Sequence, residues 1–141
     1  MSSLRIFLRP GEKVFVNGAV LRADRKVSLE VLNDVSFLLE SHVIQADETT
    51  TPLRQLYFII QSVLMNPTGA AEAITLYSRT HAALMQAFSN PDVIQGLQNI
   101  ADVMAEGRAF EALKIIRQLY PLEQEILEAD GPAIDLDLEA V

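Results

Sequence analysis

The chain has 141 residues, 50% of them hydrophobic and 21% charged, with 11 lysines and arginines against 19 aspartates and glutamates. This composition is typical of a folded protein rather than a disordered one, and the length suits one domain or two small modules. The absence of cysteine excludes disulfides, thiolate metal sites and a cysteine nucleophile, and no apolar run is long enough to span a bilayer. We therefore expect a cytoplasmic protein without a membrane partner.

Residues 1–46 have the character of a β-rich module. Predicted strands are LRIFL, KVFV, AVLR and KVSLEVL, followed by the shorter VSFLL and HVIQ. Pro10 and Gly11 suit the second and third positions of a turn. Asn17 and Gly18 predict a type I′ hairpin, because that turn needs positive φ at both central residues. These features predict a small antiparallel sheet, sandwich-like or barrel-like.

Residues 47–129 are predicted to form a bundle of about four helices. The first helix has Thr51 as its N-cap and Pro52 at its first position, where a missing N–H is harmless, and it should end near Met65. Its apolar residues wrap most of its circumference. This helix is therefore expected either between the sheet and the other helices or across a subunit interface.

Three more helices are predicted after the first. The second covers about 68–88, and the third begins after Asn90 and ends at Gly107. The fourth begins near Arg108, and Pro121 is expected to kink or break it, because proline removes an internal hydrogen bond. Residues 130–141 are acidic and are interpreted as a loose tail. The predicted fold class is thus α+β, with an N-terminal β module, a helical region and a tail.

Few side chains point to catalysis or to metal binding. His42 and His81 are far apart and lack the spacing of metal ligands, so they are interpreted as structural or surface residues. Glu123, Glu125 and Glu128 are interpreted as a solvated helix face. The glycines form no phosphate-binding fingerprint. We expect no cofactor and no metal, and we do not expect an enzyme.

The positive charge is concentrated in the β module. Residues 1–46 carry six basic against five acidic side chains, whereas residues 47–141 carry five against fourteen. Alternation along a strand places Arg5, Phe7 and Arg9 on one face, which could contact phosphates and stack on bases. A solvated outer sheet face explains the same pattern. The candidate RNA-binding residues are Arg5, Arg9, Lys13, Arg22, Arg25 and Lys26.

Three separated blocks resemble the FlbT family of bacterial flagellar regulators, from about Leu4 to Leu127. They are LRPGEKVFVNGAVL, QADETTTPLRQLYFIIQ and NPDVIQGLQNIADVMAEGRAFEALKIIRQLYPLEQEIL. The motif residues singled out in the first two blocks are Pro10, Gly11, Asn17, Gly18, Thr51, Pro52, Arg54, Tyr57 and Phe58.

This resemblance implies a post-transcriptional regulator that binds the 5′ untranslated region of flagellin mRNA and alters its translation or stability. It implies neither the RNA-contacting residues nor whether regulation represses or activates. An alternative is an adaptor that binds flagellin or a flagellin chaperone through its helical surface, with indirect effects on mRNA. A homo-oligomer, dimer or larger, is expected from the apolar first helix.

Overall fold

The computed structural model describes residues 4–33 and 37–130. The described residues form an α+β fold, which confirms the predicted class. The strands are β1 (Leu4–Leu8), β2 (Lys13–Val16), β3 (Ala19–Arg22), β4 (Val27–Val31) and β5 (Phe37–Leu39). The helices are α1 (Pro52–Met65), α2 (Ala70–Ala87), α3 (Pro91–Ala105) and α4 (Ala109–Asp130). Short 3₁₀ turns lie at Glu40–His42, Ala46–Glu48 and Pro67–Gly69.

The strands form two small antiparallel sheets that pack face to face. One sheet pairs β1 with β4, and the other has the order β3–β2–β5. Ile6 and Leu8 from the first sheet meet Val14 and Phe37 from the second in a shared apolar core. The β module is therefore a sandwich, with one outer face turned away from the helices.

Both predicted turns are present. Gly11 has a φ of 83°, and the Glu12 N–H donates to the Arg9 carbonyl at 3.0 Å. Asn17 and Gly18 have φ values of 49° and 84° and join β2 to β3 as a hairpin. The first turn, however, carries the chain from one sheet to the other, because β1 pairs with β4 instead of β2.

β3 is the outer strand of its sheet and stays open to solvent. All four of its residues are exposed, including Val20 at 59% and Leu21 at 50%.

The predicted strand HVIQ is wrong. His42 ends a 3₁₀ turn, and the following backbone runs past α1 without pairing with a strand. The Gln61 side chain takes the place of a strand partner: its Oε1 accepts from the Ile44 N–H at 2.8 Å, and its Nε2 donates to the Ile44 carbonyl at 2.9 Å. A side-chain amide thus satisfies the backbone groups that a strand would pair.

α1 lies between the strands and the other helices, which is one of its two predicted placements. The Thr51 hydroxyl caps it by accepting from the Arg54 N–H at 3.2 Å, and Pro52 is its first residue. α1 packs against α2, α4, β2 and β5. Most of its apolar circumference is therefore covered within one chain, which removes most of the argument for an oligomer from this feature. The expected homo-oligomer remains a prediction.

α3 and α4 pack closely where α3 carries a glycine. The Asn90 side chain caps α3 by accepting from the N–H groups of Asp92 and Val93. A Cβ atom on Gly96 would lie 2.7 Å from Leu119 of α4, so only glycine permits this approach without movement. Gly107, with a φ of 74°, ends the third helical segment as predicted.

α4 continues through Pro121 to Asp130, so the helix does not break there. Proline removes one internal hydrogen bond, but contacts with α1 on either side of it hold the helix in place. The Arg117 guanidinium donates to the Tyr57 hydroxyl at 2.8 Å, and the Glu123 carboxylate accepts from the Leu53 N–H at 2.7 Å. The predicted tail covers residues 130–141, and all of it after residue 130 lies outside the described residues. The division at residues 46 and 47 stays a prediction.

Candidate nucleic-acid interface

The solvent face of the β1–β4 sheet carries three of the six candidate cations. Ile6 and Leu8 point into the sandwich, so Arg5, Phe7 and Arg9 point outward, as strand alternation predicts. The register of β1 with β4 places Ser28 opposite Phe7 and ends with the Leu8–Val27 pair. Arg9 and Lys26 are the next residues beyond that pair, and both line one groove with Phe7. We call this surface the outer basic face, and it comprises Arg5, Phe7, Arg9, Lys26 and Ser28.

An open groove of about 710 Å³ lies at one end of the outer basic face. Side chains that line it include Phe7, Arg9, Glu12, Lys26, Ser28 and Ser41. The Glu12 carboxylate accepts from the Arg9 backbone N–H at 3.0 Å, which ties this acid to the turn at Pro10 and Gly11. The groove therefore combines two exposed cations, one carboxylate, two hydroxyl groups and an aromatic ring, and its remaining lining residues are the apolar Leu8, Val27 and Leu39.

Lys13 and Arg22 lie on the other sheet, directly opposite each other in the β2–β3 register. Val14 points into the sandwich, so Lys13 and Arg22 project from the far side, where Phe15 packs against the helical core. They are separated from the outer basic face by the thickness of the sandwich. The six candidates therefore do not form one continuous stripe.

Arg25 differs from the other candidates because it has an acidic neighbour. Its guanidinium lies 3.5 Å from the Asp24 carboxylate in the turn before β4, and both side chains are more than 80% exposed. Within residues 4–33 and 37–130, Arg5, Arg9 and Lys26 form no ion pair, although Glu30 lies opposite Arg5 in the register. On the outer basic face, Arg9 and Lys26 therefore have no ion-pair partner among the described residues, although the Glu12 carboxylate lines the same groove.

The second family-like block contributes to an interior cluster between α1 and α4. We call it the α1–α4 cluster; its members are Thr51, Arg54, Tyr57, Arg117, Tyr120 and Glu123. The Arg54 guanidinium lies 4.5 Å from the centre of the Tyr120 ring, and the Tyr57 and Tyr120 rings are 6.0 Å apart. Phe58, the last of the motif residues singled out in this block, is half-buried. These motif residues hold helices together and do not line the groove.

Tyr57 is the centre of this cluster. Its hydroxyl accepts from Arg117 and donates to the His42 carbonyl, which fastens the segment after β5 to both helices. Burial raises the pKa of the Tyr57 hydroxyl, and the Arg117 hydrogen bond opposes that rise. Burial, and secondarily the positive charge of Arg117, lower the pKa of the His42 imidazole below 6.5. The neutral imidazole is therefore the form that suits the fold.

The interpretation of Glu123 as part of a solvated face is wrong. Its side chain is fully buried, and Oε2 accepts from the Leu53 N–H in the first turn of α1. Glu125 and Glu128 are exposed as expected. The spacing of Arg117, Tyr120 and Glu123 at three-residue intervals places them on one helix face, a signal that could have indicated a shared polar contact.

His81 is a structural histidine, because its Nε2 lies 2.7 Å from the Leu97 carbonyl of α3. In the described part of the chain, no group of three or more histidine, aspartate or glutamate side chains is placed to hold a metal ion. The described helices include none with the length and apolar character needed to cross a membrane.

The family model described as "Flagellar protein FlbT" matches residues 4–127. This chain belongs to the FlbT family. The matched region includes the outer basic face, the groove and the α1–α4 cluster, so all of these features lie within the family's shared extent.

Curated relatives of the FlbT family cover nearly the same region. The chain is 53% identical over 126 residues to "Probable flagellum biosynthesis repressor protein FlbT" of Agrobacterium fabrum, covering 89% of this chain and 85% of the relative. It is 50% identical over 137 residues to "Probable flagellum biosynthesis repressor protein FlbT 2" of Bradyrhizobium diazoefficiens, covering 97% and 99%. No solved structure matches the chain.

Proposed function

We propose that this chain represses flagellum biosynthesis after transcription by binding the 5′ untranslated region of flagellin mRNA through its outer basic face. The observation that carries the proposal is the placement of Arg9 and Lys26. These two exposed cations follow and precede the last β1–β4 pair, Leu8–Val27, line the same groove and form no ion pair within the described residues. Such a pair can contact consecutive phosphates of an RNA strand.

The charge distribution supports binding at this face rather than elsewhere. The net charge of the chain is −8, and residues 47–141 hold fourteen acidic against five basic side chains. The field of the helical part repels a polyanion, whereas the sheet turned away from it carries the exposed cations. An approaching RNA is therefore directed to the outer face of the sandwich.

The repressor direction is taken from the relatives, which are named flagellum biosynthesis repressors. A protein bound to the leader would compete with the ribosome for the same stretch of RNA, or would change the access of a nuclease. Neither effect requires a catalytic group, and occupancy of the leader is sufficient.

Charge reversal of Arg9→Glu with Lys26→Glu tests the proposal. We expect the double variant to bind a transcribed flagellin leader at least about tenfold more weakly, measured by fluorescence polarisation with the labelled RNA. The slope of log affinity against log salt should fall by about 1.4, because each single-strand phosphate contact contributes about 0.7.

A matched control separates local contacts from net charge. Arg79→Glu with Lys114→Glu reverses two exposed cations on helices and gives the same net charge, since each reversal adds −2 and both variants go from −8 to −12. The control should retain leader affinity within about threefold. Equal losses in both variants would contradict a binding face on the β1–β4 sheet.

The same assay tests the other predicted cations. Lys13→Glu with Arg22→Glu changes the opposite side of the sandwich and should weaken binding less than Arg9→Glu with Lys26→Glu. A stronger effect of Lys13 and Arg22 would move the interface to the β2–β3 sheet. The adaptor alternative had two motivations, the acidity of the chain and the apolar wrap of α1. α1 packs against α2, α4, β2 and β5, so the second of these no longer favours the adaptor.

A further inference from the structure

Phe7 is an aromatic side chain that the fold leaves in solvent. It is 70% exposed, whereas Phe37, Tyr57, Tyr77 and Phe88 are all buried. Burial of a phenyl ring stabilises a fold, and Phe7 contributes little of that stabilisation. Its position therefore suits contact with a ligand better than support of the core.

The neighbours of Phe7 leave its ring accessible and place cations around it. Ser28, the residue opposite in the register, is small, and Arg5 and Arg9 flank Phe7 on the same face of β1. Lys26 lies diagonally across the strand pair and lines the groove together with Phe7 and Arg9. An apolar ring with Arg9 and Lys26 beside it is complementary to a base attached to phosphates, and the one acid that lines the groove, Glu12, accepts from the Arg9 backbone N–H.

We propose that the groove beside Phe7 binds an unpaired nucleotide, whose base stacks on the phenyl ring while Arg9 and Lys26 contact the phosphates on either side. This inference rests on the proposed function and specifies its ligand as single-stranded RNA. The groove volume of about 710 Å³ lies within the range of about 300–1,000 Å³ that is usual for small-ligand pockets.

The geometry favours unpaired RNA over a duplex. Bases in a duplex are stacked on one another, so a ring on a flat sheet surface cannot reach their faces without opening the helix. The bases of a loop or a linear strand are free to stack on an aromatic side chain, with little dependence on sequence. Phe7 thus distinguishes single-stranded RNA from a duplex, whereas Arg9 and Lys26 supply affinity for the phosphate backbone.

Substitutions at Phe7 test the inference. The probe is a labelled unpaired RNA of about ten nucleotides taken from a flagellin leader, alone or annealed to its complement. Phe7→Ala and Phe7→Leu should weaken binding of the single strand by about 5- to 150-fold, because both remove the stacking surface. Phe7→Tyr should retain affinity. Leucine is apolar but not aromatic, so weaker binding by Phe7→Leu would show that the affinity depends on stacking.

Leu32→Ala is the matched control, because Leu32 is 78% exposed and lies just after β4. It should bind the single strand as the original chain does. Equal affinity of Phe7→Ala and the original chain, or equally tight binding of the duplex, would overturn the inference and leave the proposed function standing. Failure of the original chain to bind the whole leader as well as the short strand would overturn both.

Discussion

Single residues in this protein have roles that depend on partners far away in the sequence. Glu123 belongs to an acidic stretch, but its carboxylate accepts a hydrogen bond from the Leu53 N–H of α1, which lies seventy residues earlier in the sequence. His42 lies in a short connecting turn, but burial, and secondarily the charge of Arg117 of α4, lower the pKa of its imidazole. Residue type and local charge could not reveal these roles, because both follow from the packing of α4 on α1.

His42 should make the stability of the fold depend on pH. Its pKa is lowered in the folded chain, so below about pH 6.5 the unfolded chain binds more protons than the folded one. We expect the free energy of unfolding to decline as the pH falls through this window, and His42→Gln to reduce the decline. Urea titrations at about pH 7.5 and about pH 5.5 measure the difference.

The same comparison provides its own control, because every other titrating group is shared by the two chains. The Tyr57 hydroxyl bonds to the His42 backbone carbonyl, which the substitution preserves. Parallel pH profiles of the original and substituted chains would contradict a destabilising protonation of His42.

At the scale of elements, local signals predicted the positions of helices and turns well. Thr51 and Asn90 caps, the first-position prolines and the Asn17–Gly18 turn have mechanisms that act within four residues, and all are present. Pairing of β1 with β4 is non-local, so no local signal indicated which strands pair within the predicted sandwich-like or barrel-like sheet. Of the two effects predicted for Pro121, a kink or a break, the break does not occur, and contacts with α1 on either side of Pro121 support the continuous helix.

The contact between Glu123 and the start of α1 should be a major link between two helices. Glu123→Ala leaves the Leu53 N–H buried without this acceptor, and we expect a loss of about 1–3 kcal/mol in the free energy of unfolding. Glu123→Gln retains an oxygen acceptor and should lose less. Urea denaturation followed by circular dichroism provides the measurement.

Glu125→Ala is the control for this contact, because Glu125 is an exposed acid two residues along the same helix. Its effect should stay within about 0.5 kcal/mol. If alanine at 123 and alanine at 125 had the same effect, the carboxylate at 123 would not be a structural acceptor.

At the scale of the whole molecule, the sandwich and the helices share side chains across their boundary. Phe110 of α4 stacks on Phe37 of β5 with ring centres 4.7 Å apart, and it packs against the core of the sandwich. In return, Leu38 and Phe15 from the strands pack into the helical core. The β module therefore completes its interior only with help from α4.

A fragment of residues 1–46 should not fold cooperatively on its own, because it lacks Phe110. In the full chain, Phe110→Ala should lower the free energy of unfolding by about 2–4 kcal/mol. The three tyrosines all lie in helices, so their fluorescence follows the helical part while amide exchange in β1 and β4 follows the sandwich. Both probes should report one transition.

Independent transitions in the full chain, or a folded fragment, would instead support the predicted division between residues 46 and 47 as two autonomous domains. Thermal unfolding of the fragment by circular dichroism is sufficient to decide between these results.

The candidate interface was only partly predictable. Alternation along β1 predicts that Arg5, Phe7 and Arg9 share a face, and this is confirmed. That Lys26 joins them, and that Lys13 and Arg22 project from the other side, depends on which strands pair and how the sheets stack. Such long-range choices follow from the assembled core, not from the pattern within any one strand.

The interior position of Arg54 and Tyr57 has a consequence for how relatives are compared. These residues belong to the second family-like block and hold α1 against α4, and neither of them lines the groove beside the outer basic face. A shared block of this kind indicates a common fold and gives no information about the ligand. Relatives that share these interior residues share the fold, whereas a difference in the RNA that they bind would be expected at positions 5, 7, 9 and 26.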